Sequence, residues 1–297
     1  QNLSGPKIKP IMKYFCFRFD VDAPKCTQTG IPNLIKLSKE LDVPFTFFIN
    51  MGRGTSRRSF IKKKFFIKKS NADDSTQKLS NLSKLGLWHF LFMAITNPQV
   101  GNSHPGIIKD LELSGHEVGL HGGSNHGEWQ NESHSWSKQK FLDEVAPALQ
   151  SLTKYLGKKP TGFSSPGWKG SIHLHGILES LGFAYVADAH GGDLKNITCA
   201  QNASTLWQVP TNIIGEPGGV AYLENLRALG MDDKDILKDF TSRLNGEPFS
   251  VIYDHPCYAG IKELPMLKEM IALVRSKGFK IVTLNTLAKT PNLQIAS

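Results

Sequence analysis

Apolar and aromatic runs alternate with amphipathic ones along this chain, and that alternation restricts its fold more than any single motif does. Strand-like runs appear at KYFCFRF, VPFTFFI, HEVGLH, GFAYVAD, STLWQVP, PFSVIYD and KIVTL, with a shorter candidate at TGFSS. Between them, IPNLIKLSKEL, HPGIIKDLELSG, FLDEVAPALQSLTKYLG, HGILESLG, DILKDFTSRL and LPMLKEMIALVRSKG carry helical spacing. Strand followed by helix, repeated, implies a parallel sheet with helices outside it. About eight such strands predict an α/β fold of the irregular (β/α) barrel kind, in which chemistry collects at the C-terminal ends of the strands because the loops converge there.

Composition bounds the function loosely. A chain of 297 residues, 40% of them hydrophobic, buries a substantial core. No apolar run approaches the roughly 20 residues that cross a bilayer, and the first residues lack the layout of a secretory signal, so a soluble protein is expected. Cys16, Cys26, Cys199 and Cys257 are scattered with no CxxC pair, which fits a reducing, cytoplasmic compartment. The net charge of +9 is concentrated: Arg53, Arg57, Arg58, Lys62, Lys63, Lys64, Lys68 and Lys69 stand together with no acidic residue among them. A nucleic-acid-binding surface spreads its basic residues over a recognisable module, so nucleic acid is not an expected partner.

The strand ends carry the polar residues. In FRFDVDAP, alternation sends Arg18, Asp20 and Asp22 to one face and Phe19 and Val21 to the other. The run GLHGGSNH supplies His121 and His126 after the third strand, GFAYVAD ends on Asp188, and VIYDHP ends on Asp254 and His255. Singly, each has an ordinary explanation as a turn, a cap or a surface polar residue. Together they would require chance to set carboxylates and imidazoles at four separate strand ends. Two imidazoles and one carboxylate form the ligand set of a catalytic zinc or similar divalent ion with positions left open. A second carboxylate beside such an ion takes a proton from water, and a separate histidine protonates a departing amine.

The order FRFDVDA, EVGLHGGSNH, GFSSPGW, an Asp-ended strand and VIYDHP resembles the polysaccharide deacetylase (NodB-homology) superfamily over nearly the whole chain. Within it, RxDVD, the helix that follows, an MGR segment and HEVGLH look most like the lipid-linked formamido-arabinose (undecaprenyl phosphate) deformylases. The resemblance implies one catalytic domain over 1–297 and a metal-dependent removal of a formyl or acetyl group from an amino sugar, with zinc the default ion and cobalt, nickel or manganese able to substitute. It implies Asp20 as base, Asp22 and His121 as metal ligands, and His255 as general acid with Asp188 tuning it. Pro166 and Gly167 match the loop whose backbone N–H helps hold the oxyanion, with Trp168 beside them as a substrate-binding candidate.

Three departures sharpen these expectations. The superfamily's paired histidines stand four residues apart; here Asn125 occupies that position and His126 the next. His126 is the expected ligand, because imidazole binds zinc far better than a carboxamide and glycines make an extra turn residue cheap, with Asn125 as the alternative. Ser164 stands where the superfamily has an arginine, and Arg18, on the face of Asp20, is expected to supply the cation. The third departure is an insertion over 52–103 that pairs SFIKKKFFIKKS with LGLWHFLFMAI. Lys62, Lys63 and Lys64 with Phe65, Phe66 and Trp88 predict a contact with an anionic membrane surface, peripheral on its inner face. The competing reading of function is a catalytically impaired glycan- or membrane-surface-binding protein on the same barrel.

Overall fold

The computed structural model describes residues 12–54, 97–200, 204–216, 219–244, 247–290 and 293–295. Lys62, Lys63, Lys64, Phe65, Phe66 and Trp88 lie outside the described residues. The described strands are β1 (Lys13–Val21), β2 (Thr46–Ile49), β3 (Glu117–His121), β4 (Gly162–Ser164), β5 (Tyr185–Val186), β6 (Ile197–Cys199), β7 (Trp207–Gln208), β8 (Phe249–Asp254), β9 (Phe279–Ile281) and β10 (Gln294–Ile295). They form one sheet in the order β10-β6-β7-β5-β4-β3-β2-β1-β8, with β9 on the first part of β1. The pairing of β6 with β7 is antiparallel and every other pairing is parallel. The sheet curls into a partial barrel with helices outside, which is the irregular (β/α) barrel expected from the alternation.

Register explains how the polar residues reach one place. In a parallel pair, partnered residues point to the same side of the sheet. Asp20 pairs with Phe48, Phe48 with Gly119, His121 with Ser164, and Arg18 with Tyr253, so these residues line the inner face of the curl. Gly119 is required there, because a Cβ would stand 2.5 Å from the Phe48 ring. The opposite face of β1 gives Phe15, Phe17, Phe19 and Val21 to the layer between sheet and helices, where Phe19 stacks on Phe47 with ring centroids 5.4 Å apart. Each fully buried phenylalanine contributes about 1.5–3 kcal/mol of transfer free energy. A smaller inner cluster of Cys16, Phe48, Tyr185, Val209 and Val251 closes the bottom of the curl. The inner face carries polar residues at both ends: Thr46 and Tyr185 both donate to Glu117 at the bottom, and the carboxylates and imidazoles gather toward the C-terminal rim.

The helices Ile31–Leu41, Pro105–Leu113 and Leu264–Ser276 form where apolar spacing predicts them. Four short helices, His126–Glu132, Tyr222–Ala228, Pro256–Lys262 and Leu284–Ala288, have too few turns to show a periodic stripe. Two of them carry residues of the site. Among the described residues, no helix is long and apolar enough to cross a membrane.

Candidate metal and acid–base site

Asp22 follows β1, His121 ends β3, and His126 is the first residue of the helix His126–Glu132. His121 Nε2 lies 3.2 Å from Asp22 Oδ1 and 3.2 Å from His126 Nε2, and His126 Nε2 lies 3.3 Å from Asp22 Oδ2. A tetrahedral zinc with donors at about 2.0–2.1 Å holds those donors about 3.3–3.4 Å apart. Asp22 Oδ1 is buried and accepts no hydrogen bond among the described residues. Burial pushes the Asp22 carboxyl up, but the adjacent His126 and His121 imidazoles outweigh it and hold the carboxyl well below the usual carboxylate range. An anionic carboxylate facing two imidazole nitrogens at these separations fits a divalent ion.

The local chain explains each placement. His121 Nδ1 lies 2.7 Å from Ser164 Oγ on the neighbouring strand, a partner that orients the ring and turns Nε2 toward Asp22. The turn after β3 needs Gly122, whose φ of 66° is left-handed and whose Cβ would meet the Pro166 ring at 2.5 Å. The MGR segment braces the far side: Arg53 N–H donates to the Ser124 carbonyl (3.0 Å) and His126 N–H donates to the Arg53 carbonyl (2.9 Å). Asn125 is the N-cap of the short helix, its Oδ1 accepting from the Glu128 N–H at 3.1 Å. Its carboxamide is thus committed to the backbone, and His126 faces Asp22.

Two further groups flank this trio. Arg18 grips Asp20 with two charge-assisted hydrogen bonds, Nε to Oδ1 at 3.0 Å and Nη2 to Oδ2 at 2.9 Å. Its Nη1 donates to the Ala187 carbonyl at 2.7 Å, and the guanidinium lies 4.2 Å from the Trp168 ring centroid. Arg18 is thus the cation paired with Asp20, while Ser164 contacts His121. On the other flank, His255 Nδ1 lies 2.7 Å from Glu224 Oε1, and its Nε2 lies 2.8 Å from Tyr253 Oη and 3.3 Å from Asp22 Oδ2. Burial opposes the charged imidazolium, but Glu224 and Asp22 outweigh it, raising His255 well above the ordinary histidine value.

The partner of His255 corrects the sequence-based expectation. Asp188 makes no hydrogen bond or ion pair with His255 among the described residues; its oxygens accept from the Ser165 N–H at 2.6 Å and the Ser165 hydroxyl at 2.7 Å. The chain beyond β5 keeps the β4–β5 register, in which Phe163 pairs with Val186, so Asp188 stands beside Ser165 and braces the loop after β4 rather than meeting His255. The carboxylate in contact with His255 is that of Glu224, at 2.7 Å. It is delivered by the helix Tyr222–Ala228, whose first N–H groups, those of Leu223 and Glu224, donate to Asp254 at 3.0 and 3.2 Å.

The loop Pro166–Trp168 lies over Arg18. Gly167 and Trp168 both hold left-handed φ, 65° and 61°, a conformation that costs a tryptophan roughly 1–2 kcal/mol. The indole is held against this strain by Arg18 beneath it and by T-shaped contacts with His190 (5.0 Å) and Tyr253 (5.2 Å). The Trp168 N–H already donates to the Ser165 carbonyl at 3.1 Å, which makes the Gly167 N–H the candidate oxyanion donor.

The chain belongs to the polysaccharide deacetylase family, whose model matches residues 9–186. A Shewanella sediminis protein assigned as a 4-deoxy-4-formamido-L-arabinose-phosphoundecaprenol deformylase is 26% identical over 178 residues. That match takes in 59% of this chain and 56% of the relative's length, so little more than half of the relative is spanned. Among solved structures, a protein assigned as a polysaccharide deacetylase in Mycobacterium smegmatis superposes with a TM-score of 0.64 at 17% identity, over 96% of this chain and 93% of the other. A Bacillus anthracis family 4 carbohydrate esterase pseudoenzyme gives 0.54 at 12% identity, over 97% of this chain and 71% of its own. Glu224, Tyr253 and His255 lie beyond the stretch that the family model covers.

Proposed function

We propose that this chain is a metal-dependent hydrolase that removes a formyl or acetyl group from an amino sugar, with a lipid-linked sugar as substrate. The observation that carries the reading is the convergence of Asp22, His121 and His126 between a cation-held carboxylate, Asp20, and a carboxylate-paired imidazole, His255. Asp22, His121 and His126 would hold the ion, which when bound polarises the acyl carbonyl and acidifies water. Asp20, steadied by Arg18, takes the proton from the attacking water. The Gly167 N–H donates to the oxygen that gains negative charge. His255 gives its Nε2 proton to the sugar nitrogen as the C–N bond breaks and the bonding pair leaves with nitrogen. The water oxygen stays on the acyl carbon, so the products are a carboxylic acid and a free amine.

The Shewanella sediminis relative, by its name, acts on a formamido-arabinose carried on phosphoundecaprenol, which brings a lipid-linked formamido sugar forward. A binding protein on the same barrel is the second reading, favoured by a pseudoenzyme among the structural neighbours and by Ser164 in the third motif. Retention of base, acid and ligand trio together supports the hydrolase, since a binder needs no proton donor and acceptor. Zinc- or cobalt-loaded protein is expected to release formate or acetate from N-acyl amino sugars, to stop on chelation and to resume on metal return. Metal uptake with no release from any such sugar would favour the binder.

A membrane surface belongs to the same proposal, resting on the basic and apolar residues of the insertion. Each lysine near an anionic surface contributes about 1 kcal/mol. Replacing Lys62, Lys63 and Lys64 by glutamate is therefore expected to weaken sedimentation with phosphatidylglycerol vesicles by about 100-fold or more; unchanged sedimentation would remove the membrane from the proposal.

A further inference from the structure

The tyrosine two residues before His255 is buried at the centre of the site, and nothing in the proposed chemistry yet uses it. Tyr253 pairs with Arg18 across β8 and β1, so its side chain enters the inner face of the curl. Its ring stands 5.2 Å from the Arg18 guanidinium carbon and edge-on to Trp168, and its hydroxyl reaches His255 Nε2 at 2.8 Å. Glu224 at Nδ1 leaves the imidazole able to tilt about that single bond, and the Tyr253 hydroxyl is a second fixed point on the opposite nitrogen.

We propose that Tyr253 is a positioning residue for the acid: its hydroxyl holds His255 Nε2 on the line along which the proton reaches the departing nitrogen. This rests on the hydrolase reading above. A hydroxyl both donates and accepts, so it follows the ring through turnover. As the departing nitrogen comes within reach of Nε2, the Nε2 proton is shared between it and Tyr253 Oη, and once that proton is given up Oη–H donates to the bare Nε2. Asp22 Oδ2, at 3.3 Å from the same nitrogen, accepts only, and it is more distant than the hydroxyl. Burial and the neighbouring Asp20 and Asp22 push the Tyr253 phenol well above its usual value, so it remains a neutral hydroxyl.

The test uses the leaving group. An amide needs its nitrogen protonated to depart, whereas the nitrophenolate of an aryl ester leaves unaided, so a fault confined to the acid affects the amide alone. Tyr253→Phe keeps the ring against Arg18 and Trp168. In the zinc-loaded full chain it is expected to lower kcat on an N-formyl or N-acetyl amino sugar by about 10–100-fold, the scale of a displaced general acid. KM, zinc content and hydrolysis of 4-nitrophenyl acetate are expected to stay within about twofold. The ester and the zinc content also report that the variant is folded. Amide turnover that is unchanged, or amide and ester rates that fall together, would overturn the role of Tyr253 while leaving the hydrolase reading in place. A wild-type protein that cleaves neither substrate would overturn both.

Discussion

Asp20→Asn is expected to retain its zinc and to lose about 1,000-fold or more in kcat, toward the upper end of what a positioned base supplies. Metal retention follows from geometry, because the three atoms that face one another belong to Asp22, His121 and His126, and Asp20 comes no nearer to His121 than 3.7 Å. The loss of turnover follows from chemistry, because a carboxamide in the same position cannot take a proton. The substitution also leaves Arg18, only 1% exposed, without its counter-charge. Unpairing a buried ion costs about 3–5 kcal/mol, so the unfolding midpoint should fall as well, and rates belong well below it. Arg18→Ala tests the same pair from the other side. It is expected to lower kcat by about 10–100-fold, because the carboxylate then loses the two charge-assisted hydrogen bonds that fix its position. The double variant is expected to be no slower than Asp20→Asn alone, since the two residues act as a unit. An Asp20→Asn protein within tenfold of wild type, or an Arg18→Ala protein with unchanged turnover, would dismantle this assignment.

The parts of the site that were legible in the sequence are those set by strand period. Arg18 and Asp20 share a face because they stand two apart on β1, and Asp22 and His121 sit at strand ends because barrels carry their chemistry there. The partner of His255 was not legible. Glu224 lies 31 residues before it on a seven-residue helix with no apolar stripe of its own, and an Asp254 cap brings the two together. Asp188 looked like that partner because it ends a strand-like run, but the β4–β5 register sets its carboxylate beside Ser165. Tyr253 was hidden differently, since a tyrosine inside FSVIYD reads as one more apolar strand residue until register sets it beside Arg18. One signal was present and went unused: Asn125 with Glu128 three residues on is the spacing of a capping box.

That capping signal decides the second large effect. His126→Ala is expected to lower zinc affinity by more than the roughly 10–100-fold that removal of an outer partner costs, and to abolish turnover at stoichiometric metal. Asn125→Ala is expected to do something different in kind. It removes an N-cap, costs about 1 kcal/mol of stability, and leaves zinc affinity within about tenfold. Ser164→Ala falls between them, because it frees the Nδ1 side of His121 without removing a donor, and about 10–100-fold in affinity is the expected loss. Competition of each protein with a chelating dye for zinc orders the three. The sequence His126, then Ser164, then Asn125 follows if the extra turn residue serves to cap the helix that presents the histidine. Loss of zinc from Asn125→Ala with zinc kept by His126→Ala would mean that the carboxamide is the ligand and that the cap breaks when metal enters. The stability readout separates these cases independently, since a cap lost from a helix that no longer needs it costs nothing, whereas a cap lost from the arrangement described above lowers the unfolding midpoint with or without metal.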